Sequence, residues 1–238
     1  TPGRLLDVFS RGGLLLNDVK ILVIDEADRM LDMGFIPDVQ KIVSTLNKIR
    51  QTLFFSATMP PEIRLLSESF LINPKEIAVT PPSTPAQNVE QFLIIVPHTN
   101  KRDLKTLQQK KRDALRNLIK QENIGNALIF CNKKRDVDIL HKSFQKHGYD
   151  SATLHGDMPQ PSRTDTMQRF KKGKISLLVC SDVAARGLDI DNLGYVINFD
   201  VPMHAEDYIH RIGRTGRAGK SGMAFTITWK EENKYIDA

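Results

Sequence analysis

Ile21-Leu22-Val23-Ile24-Asp25-Glu26-Ala27-Asp28 is the stretch on which the fold reading turns: four apolar residues, then three carboxylates within four positions. A short, uniformly apolar run of this kind reads as a buried parallel strand that surfaces at its carboxyl end. In open α/β sheets that is where ligands bind. A carboxylate there suits Mg²⁺, which keeps several waters and takes one or two protein carboxylates, while a neighbouring acid orients or deprotonates an attacking water. A second reading stays open at this point. Asp25 could cap a helix, with Glu26 and Asp28 placed favourably at the positive end of its dipole and no metal involved.

Outward from this stretch the same grammar repeats. Apolar runs at 53–55, 127–131, 177–180 and 195–199 are each followed by polar residues and most by a helix-like stretch, the alternation expected of parallel α/β sheets. Between the runs at 53–55 and 127–131, three prolines fall within Thr80-Pro81-Pro82-Ser83-Thr84-Pro85-Ala86-Gln87-Asn88. Prolines interrupt regular structure, so the reading divides the chain into a first domain at 1–80, a linker at 81–88 and a second domain at 89–238. A strand is expected at 89–96 and a long helix at 101–121, with Leu104, Leu107, Leu115 and Leu118 turned partly inward.

Composition bounds the function. With 238 residues, 40% hydrophobic and 26% charged, the chain reads as globular and soluble. No apolar stretch approaches the roughly 18 residues of a membrane span and no charged-then-apolar leader is visible, so the expected compartment is the cytoplasm and no membrane partner is expected. Cys131 and Cys180 are the only cysteines and lack CxxC spacing, which points to buried reduced thiols rather than a disulfide or zinc site. Residues 1–80 hold 9 Lys/Arg against 10 Asp/Glu, whereas 81–238 hold 25 against 18. The basic second part fits a polyanionic partner, although a Lys-rich helix surface such as that over 101–120 is more often merely solvated.

The polar residues after each run carry the chemistry. Ser56-Ala57-Thr58 places two hydroxyls at a strand end, within reach of the carboxylates of a neighbouring strand, and Pro60-Pro61 suit the first turn of a helix. Ser181-Asp182-Val183-Ala184-Ala185-Arg186-Gly187-Leu188-Asp189 offers a hydroxyl, a glycine permitting close backbone approach, and an acid able to accept from a ribose hydroxyl. In His210-Arg211-Ile212-Gly213-Arg214-Thr215-Gly216-Arg217, three arginines recur every third residue with glycines between them, as polyphosphate recognition requires. Within 210–217 the spacing matches neither a dinucleotide fingerprint nor a phosphate-cradling loop, so these arginines read as fingers.

In their order these motifs resemble the DEAD-box family of ATP-dependent RNA helicases of superfamily 2, from Thr1-Pro2-Gly3-Arg4 through Asp25-Glu26-Ala27-Asp28 and Ser56-Ala57-Thr58. In the second part, Leu128-Ile129-Phe130-Cys131-Asn132, Gln160-Pro161-Ser162-Arg163, the stretch 181–189, Phe199-Asp200 and the arginine motif continue the match. The resemblance implies two RecA-like lobes, parallel sheets with flanking helices, with ATP and Mg²⁺ as cofactors. Asp25 would engage Mg²⁺ through water, and Glu26 would activate the attacking water. Asp28, Ser56, Thr58 and His210 would couple the lobes, Arg211 would brace their interface, and Arg214 and Arg217 would be fingers. Gly187 and Asp189 would contact the nucleotide. Thr1, Gly3, Arg4, Gln160, Arg163 and Ser181 would contact RNA.

Aromatics make up only 7% of the chain and its one tryptophan, Trp229, lies in the last strand-like segment, so a run of base-stacking platforms is not expected. RNA would be held through backbone phosphates and 2′-hydroxyls with low sequence specificity. The phosphate-binding loop, the adenine-reading glutamine motif and the first RNA motif of the family are not found. The resemblance therefore implies a fragment: an incomplete first lobe and a complete second one, inactive alone, from a parent that unwinds or remodels RNA. An ATP-gated RNA clamp, or an RNA-binding module without unwinding, is the alternative.

Overall fold

The computed structural model describes residues 1–32, 34–56, 58–78, 88–97, 103–185, 193–216 and 220–235. The chain divides into two compact units, Thr1–Val79 and Thr80–Ala238. The linker expected at 81–88 lies outside the described residues except for Asn88.

In the first unit, α1 (Pro2–Ser10) precedes β1 (Ile21–Ile24), α2 (Ala27–Asp32), α3 (Ile36–Thr45), β2 (Gln51–Phe54) and α4 (Pro61–Phe70). Prolines in the first turns of α1, α3 and α4 start these helices where the missing N–H has no helical partner. The two strands pair in parallel, Ile24 opposite Phe54. Helices cover one face, where Ile24, Ala27, Val39, Ile63, Leu66 and Phe70 form the core. Ile21 and Val23 stay more than half exposed on the opposite face. The run expected to be wholly buried is therefore buried on one side only, because strand side chains alternate and the helices pack on a single face.

The second unit holds β3 (Val89–Ile95), α5 (Leu104–Gln121), β4 (Ala127–Phe130), α6 (Lys134–Lys146), β5 (Ser151–Leu154) and α7 (Gln160–Lys171). It continues with β6 (Leu177–Cys180), α8 (Asp182–Ala185), β7 (Tyr195–Asn198), α9 (Ala205–Ile212), β8 (Gly222–Thr228) and a 3₁₀ helix at Lys230–Tyr235. The six strands are all parallel in the order β3-β8-β7-β4-β6-β5. From central β4 the sheet grows to both sides, which opens a crevice at its carboxyl end. Ile129, Cys131 and Val179 enter one core with Leu115 and Phe144, while Leu128, Phe130 and Cys180 enter the other with Phe170 and Ala184.

The two cysteines thus face opposite sides of the sheet although the Cys131 N–H donates to the Cys180 carbonyl at 2.9 Å. Both are free and buried, and desolvation raises both thiol pKa values. The long helix starts at Leu104, where the Asp103 carboxylate accepts the Thr106 N–H at 3.0 Å. Residues 101 and 102 lie outside the described residues. Leu107, Leu115 and Leu118 point inward as expected, but Leu104 is 59% exposed because it occupies the first turn, beyond the sheet's cover. Among the described residues, no helix is long and apolar enough to cross a membrane.

Candidate functional site

At the carboxyl end of β1 the contact with the segment after β2 continues as the chain enters α2. The Phe55 N–H donates to the Ile24 carbonyl at 2.8 Å, and the Ala27 N–H to the Phe55 carbonyl at 3.1 Å. Between them Glu26 adopts φ +52°, a left-handed conformation that costs a glutamate about 1–3 kcal/mol and is concentrated at functional sites. Both Asp25 and Glu26 are exposed.

Which group caps α2 separates the two readings of the acid cluster. The Asp28 N–H, in the first turn, donates to Ser56 Oγ at 3.1 Å, and the Arg29 N–H to Asp28 Oδ1 at 2.9 Å. Among the described residues, Asp25 Oδ1 accepts the adjacent Glu26 N–H, at 2.9 Å, and no N–H of α2. The orphan donors of the helix are thus met from β2 and from Asp28, and the carboxylates of Asp25 and Glu26 are left facing outward at the strand end.

Asp28 is the structural acid of the three. Its Oδ2 accepts both the Thr58 N–H, at 2.7 Å, and the Thr58 hydroxyl, at 2.9 Å. Partial burial alone would raise its pKa, but the bonds from Thr58, Arg29 and Ser56 prevail and hold it below the usual aspartate value. Ser56 and Thr58 are therefore brought to Asp28 within the first unit. Thr1 is the N-cap residue of α1, Gly3 and Arg4 lie in its first turn, and a Cβ on Gly3 would sit 3.9 Å from Asp38 of α3.

In the second unit the arginine motif begins in the last turn of α9, which holds His210 and Arg211. Arg211 is 2% exposed, and all five of its N–H groups are occupied inside the unit. Nε and Nη2 grip both oxygens of Asp182 at 2.6 and 2.7 Å. Nη1 reaches Asn198 Oδ1 at 3.3 Å and the Asp200 carbonyl at 2.8 Å, and Nη2 reaches Asn132 Oδ1 at 2.7 Å. Its guanidinium also lies 5.2 Å from the centre of the Phe130 ring. The expectation for Arg211 is that it braces an interface between lobes; these hydrogen bonds lie within the second unit. The side chain bolts the ends of β4, β6 and β7 to α9 and has no donor left for another partner.

Arg214 sits on the turn after α9, its N–H donating to the Arg211 carbonyl at 3.1 Å. That turn packs too closely for larger residues. A Cβ on Gly213 would stand 3.0 Å from the Ile209 carbonyl oxygen. Gly216 has φ +69°, and a Cβ there would lie 2.6 Å from Val89 Cγ2. Thr215 is buried, its hydroxyl bonding the carbonyls of Leu193 and Gly194.

Ser181 precedes α8, and its carbonyl accepts the N–H groups of Ala184 and Ala185 at 3.1 and 3.0 Å. Gln160 opens α7, with Arg163 Nη1 3.4 Å from its Oε1. Gly187, Asp189 and Arg217 lie outside the described residues, as do Arg186 and Ala57. Sequence reasoning missed three residues of this region, Lys111, Asp182 and Asp200, as the partners that hold the arginine motif. One signal was available: Lys111 stands one turn from each of the inward Leu107 and Leu115.

A family model described as DEAD/DEAH box helicase matches residues 1–66, and one described as the helicase conserved C-terminal domain matches residues 110–219. The DEAD-box ATP-dependent RNA helicase CshA of Bacillus subtilis is 43% identical over 238 residues, covering 100% of this chain and 46% of that protein. The ATP-dependent RNA helicase CshA of Listeria monocytogenes is 43% identical over 236 residues, 99% of this chain and 44% of that protein. The chain thus spans about half the length of the curated relatives it matches. Among solved structures, S. cerevisiae Dbp5 bound to RNA and ADP BeF3 aligns with a TM-score of 0.85 at 29% identity, covering 100% of this chain and 60% of that one. A DEAD box protein from Methanococcus jannaschii aligns with a TM-score of 0.57 at 39% identity, covering 100% and 61%.

The parallel sheets, the acid turn and the arginine motif define the RecA-like class of helicase lobes. The chain belongs to the DEAD-box family of superfamily 2 helicases.

Proposed function

We propose that the chain serves an ATP-dependent RNA helicase, in which ATP hydrolysis drives local unwinding of RNA duplexes or remodelling of RNA–protein complexes. The observation that carries this reading is the division of labour in the acid turn. Asp28 is held by Thr58 and Arg29, Ser56 meets the helix donor, and Asp25 and Glu26 face outward at a strand end.

The roles follow from that division. Glu26, exposed and held in a strained backbone conformation, takes the proton of the attacking water. Asp25 suits Mg²⁺ through water. No group of three or more potential ligands occurs among the described residues, which fits an ion that keeps most of its waters and needs one or two carboxylates. When bound, Mg²⁺ neutralises charge on the phosphate oxygens. Arg214 and Arg217 act as fingers on the charge that develops in the transition state, a contribution of roughly 10³ to 10⁵ in turnover in other enzymes. Gly187 and Asp189 contact the nucleotide, and Asp28, Ser56, Thr58 and His210 link nucleotide state to the arrangement of the lobes formed by residues 1–80 and 89–238.

RNA contacts fall to Thr1, Gly3 and Arg4 at the start of α1, to Gln160 and Arg163 at the start of α7, and to Ser181. Starts of helices favour phosphate through unsatisfied N–H groups and the dipole, which supports recognition of backbone rather than bases. The cytoplasm is the compartment that two buried free thiols fit best.

The test is unwinding of a short RNA duplex by a protein in which this chain follows a phosphate-binding loop. Strand separation with ATP but not with a non-hydrolysable analogue supports the helicase. ATP-dependent RNA retention without separation would favour the clamp.

A further inference from the structure

Lys111 is 1% exposed on α5, and a buried ammonium is costly unless it is paired. Its Nζ lies 3.3 Å from Asp200 Oδ1 and 3.8 Å from Glu232 Oε2 of the 3₁₀ helix, and 5.2 Å from the centre of the Phe199 ring. Asp200 follows β7, and its other oxygen accepts the Asn132 N–H at 3.1 Å. Asn132 is fixed on two further sides: its Nδ2 donates to the Val201 carbonyl at 2.9 Å, and its Oδ1 accepts Arg211 Nη2 at 2.7 Å. The Asp200 carbonyl accepts Arg211 Nη1. A continuous polar chain therefore runs from Glu232 through Lys111, Asp200 and Asn132 to Arg211, whose carbonyl in turn accepts the Arg214 N–H.

We infer that Lys111 is a positioning residue for the arginine motif: its ammonium pins Asp200, and Asp200 with Asn132 pins Arg211 and the turn that presents Arg214. Asp200 and Glu232 are like charges brought together in a confined space. Without Lys111 between them they repel, Asp200 withdraws, and Arg211 loses the backbone and amide acceptors that set its place. Asp182 still holds one edge of the guanidinium, so Arg211 stays in the unit but no longer in one orientation. By the same route the 3₁₀ helix at Lys230–Tyr235 becomes part of the support of the arginine motif. The consequence for turnover rests on the reading of Arg214 as a finger; the consequence for Arg211 does not.

Hydrogen exchange followed by nuclear magnetic resonance in the 238-residue chain tests the inference directly. The quantity is the exchange rate of the Arg211 Nε–H divided by that of the Ile129 amide in central β4, which reports global opening of the unit. In Lys111→Met this ratio is expected to rise about tenfold, whereas in Leu107→Ala, a core truncation on the same helix, it stays at the unsubstituted value. A ratio in Lys111→Met that stays with Leu107→Ala overturns the inference. Should Lys111→Met not fold, Asp200→Asn removes the same ion pair while keeping shape, and an unchanged ratio there overturns it equally. In an ATPase-competent protein carrying the chain, Lys111→Met is expected to lower kcat about tenfold with KM for ATP within about twofold, and an unchanged kcat contradicts the positioning role. Absence of turnover before any substitution would be a failure of the functional reading, with the exchange ratio still deciding the role of Lys111.

Discussion

Thr58 gives two hydrogen bonds to one oxygen of Asp28, from its N–H at 2.7 Å and from its hydroxyl at 2.9 Å. The pair ties the end of β2 to the start of α2 and depends on an ionised carboxylate. Because the folded pKa of Asp28 lies below its ordinary 3.8, the stabilisation is complete above about pH 4 and is lost as pH falls through the folded value. Thermal unfolding of the first unit should show an acid-side loss of stability that is smaller in Asp28→Asn. Identical acid profiles for the two proteins would refute the assignment.

Glu26 combines an exposed carboxylate with φ +52°. Glu26→Gly should relieve strain of ~1–3 kcal/mol against an entropy cost of ~1, for a net gain of about 1 kcal/mol in denaturant unfolding. Glu26→Gln should abolish turnover while ATP-dependent RNA binding persists, since shape is kept and the base is lost. Normal RNA-stimulated hydrolysis in Glu26→Gln would remove Glu26 from the chemistry.

Arg211 and Arg214 should separate cleanly. Arg211→Ala leaves Asp182 and the Asp200 carbonyl without their buried cation and should cost roughly 3–5 kcal/mol of stability in the second unit. Arg214→Ala should cost about 1 kcal/mol or less and lower hydrolysis by roughly 10³ with little change in RNA affinity. Equal losses of hydrolysis and RNA affinity in Arg214→Ala would mark it as an RNA contact instead.

Backbone recognition predicts that RNA oligonucleotides of different sequence bind alike, whereas DNA of matched sequence binds more weakly for want of the 2′-hydroxyl. Fluorescence anisotropy with both kinds of oligonucleotide measures this. A strong preference among RNA sequences would point to base readout.

The fold was legible because a short apolar run followed by polar residues is what a parallel strand requires; 127–131 and 177–180 became β4 and β6 to within a residue. Exposure was less legible. Whether a helix covers both faces of β1 depends on tertiary packing, and nothing in Ile21-Leu22-Val23-Ile24 encodes that Ile21 and Val23 remain open. Residue types alone could not apportion the acid turn, since Ser56 reaches Asp28 across 28 residues; the grouping of Asp28 with Ser56 and Thr58 came from the family resemblance. The partners of Arg211 were not legible, since Asn132, Asp182 and Asn198 come from three different strand ends. Lys111 misled because its charge outweighed its place on the inward stripe of α5.

The central proposal is that Glu26 and Arg214 both act in the hydrolytic step. RNA-stimulated ATP turnover of Glu26→Gln, Arg214→Ala and the double variant, in a protein where this chain follows a phosphate-binding loop, tests it most directly. Residues acting in one transition state are strongly non-additive. The double variant should therefore lose no more than about the larger of the two single losses. A double variant whose loss equals the product of the two would show that the residues act independently and would contradict the account.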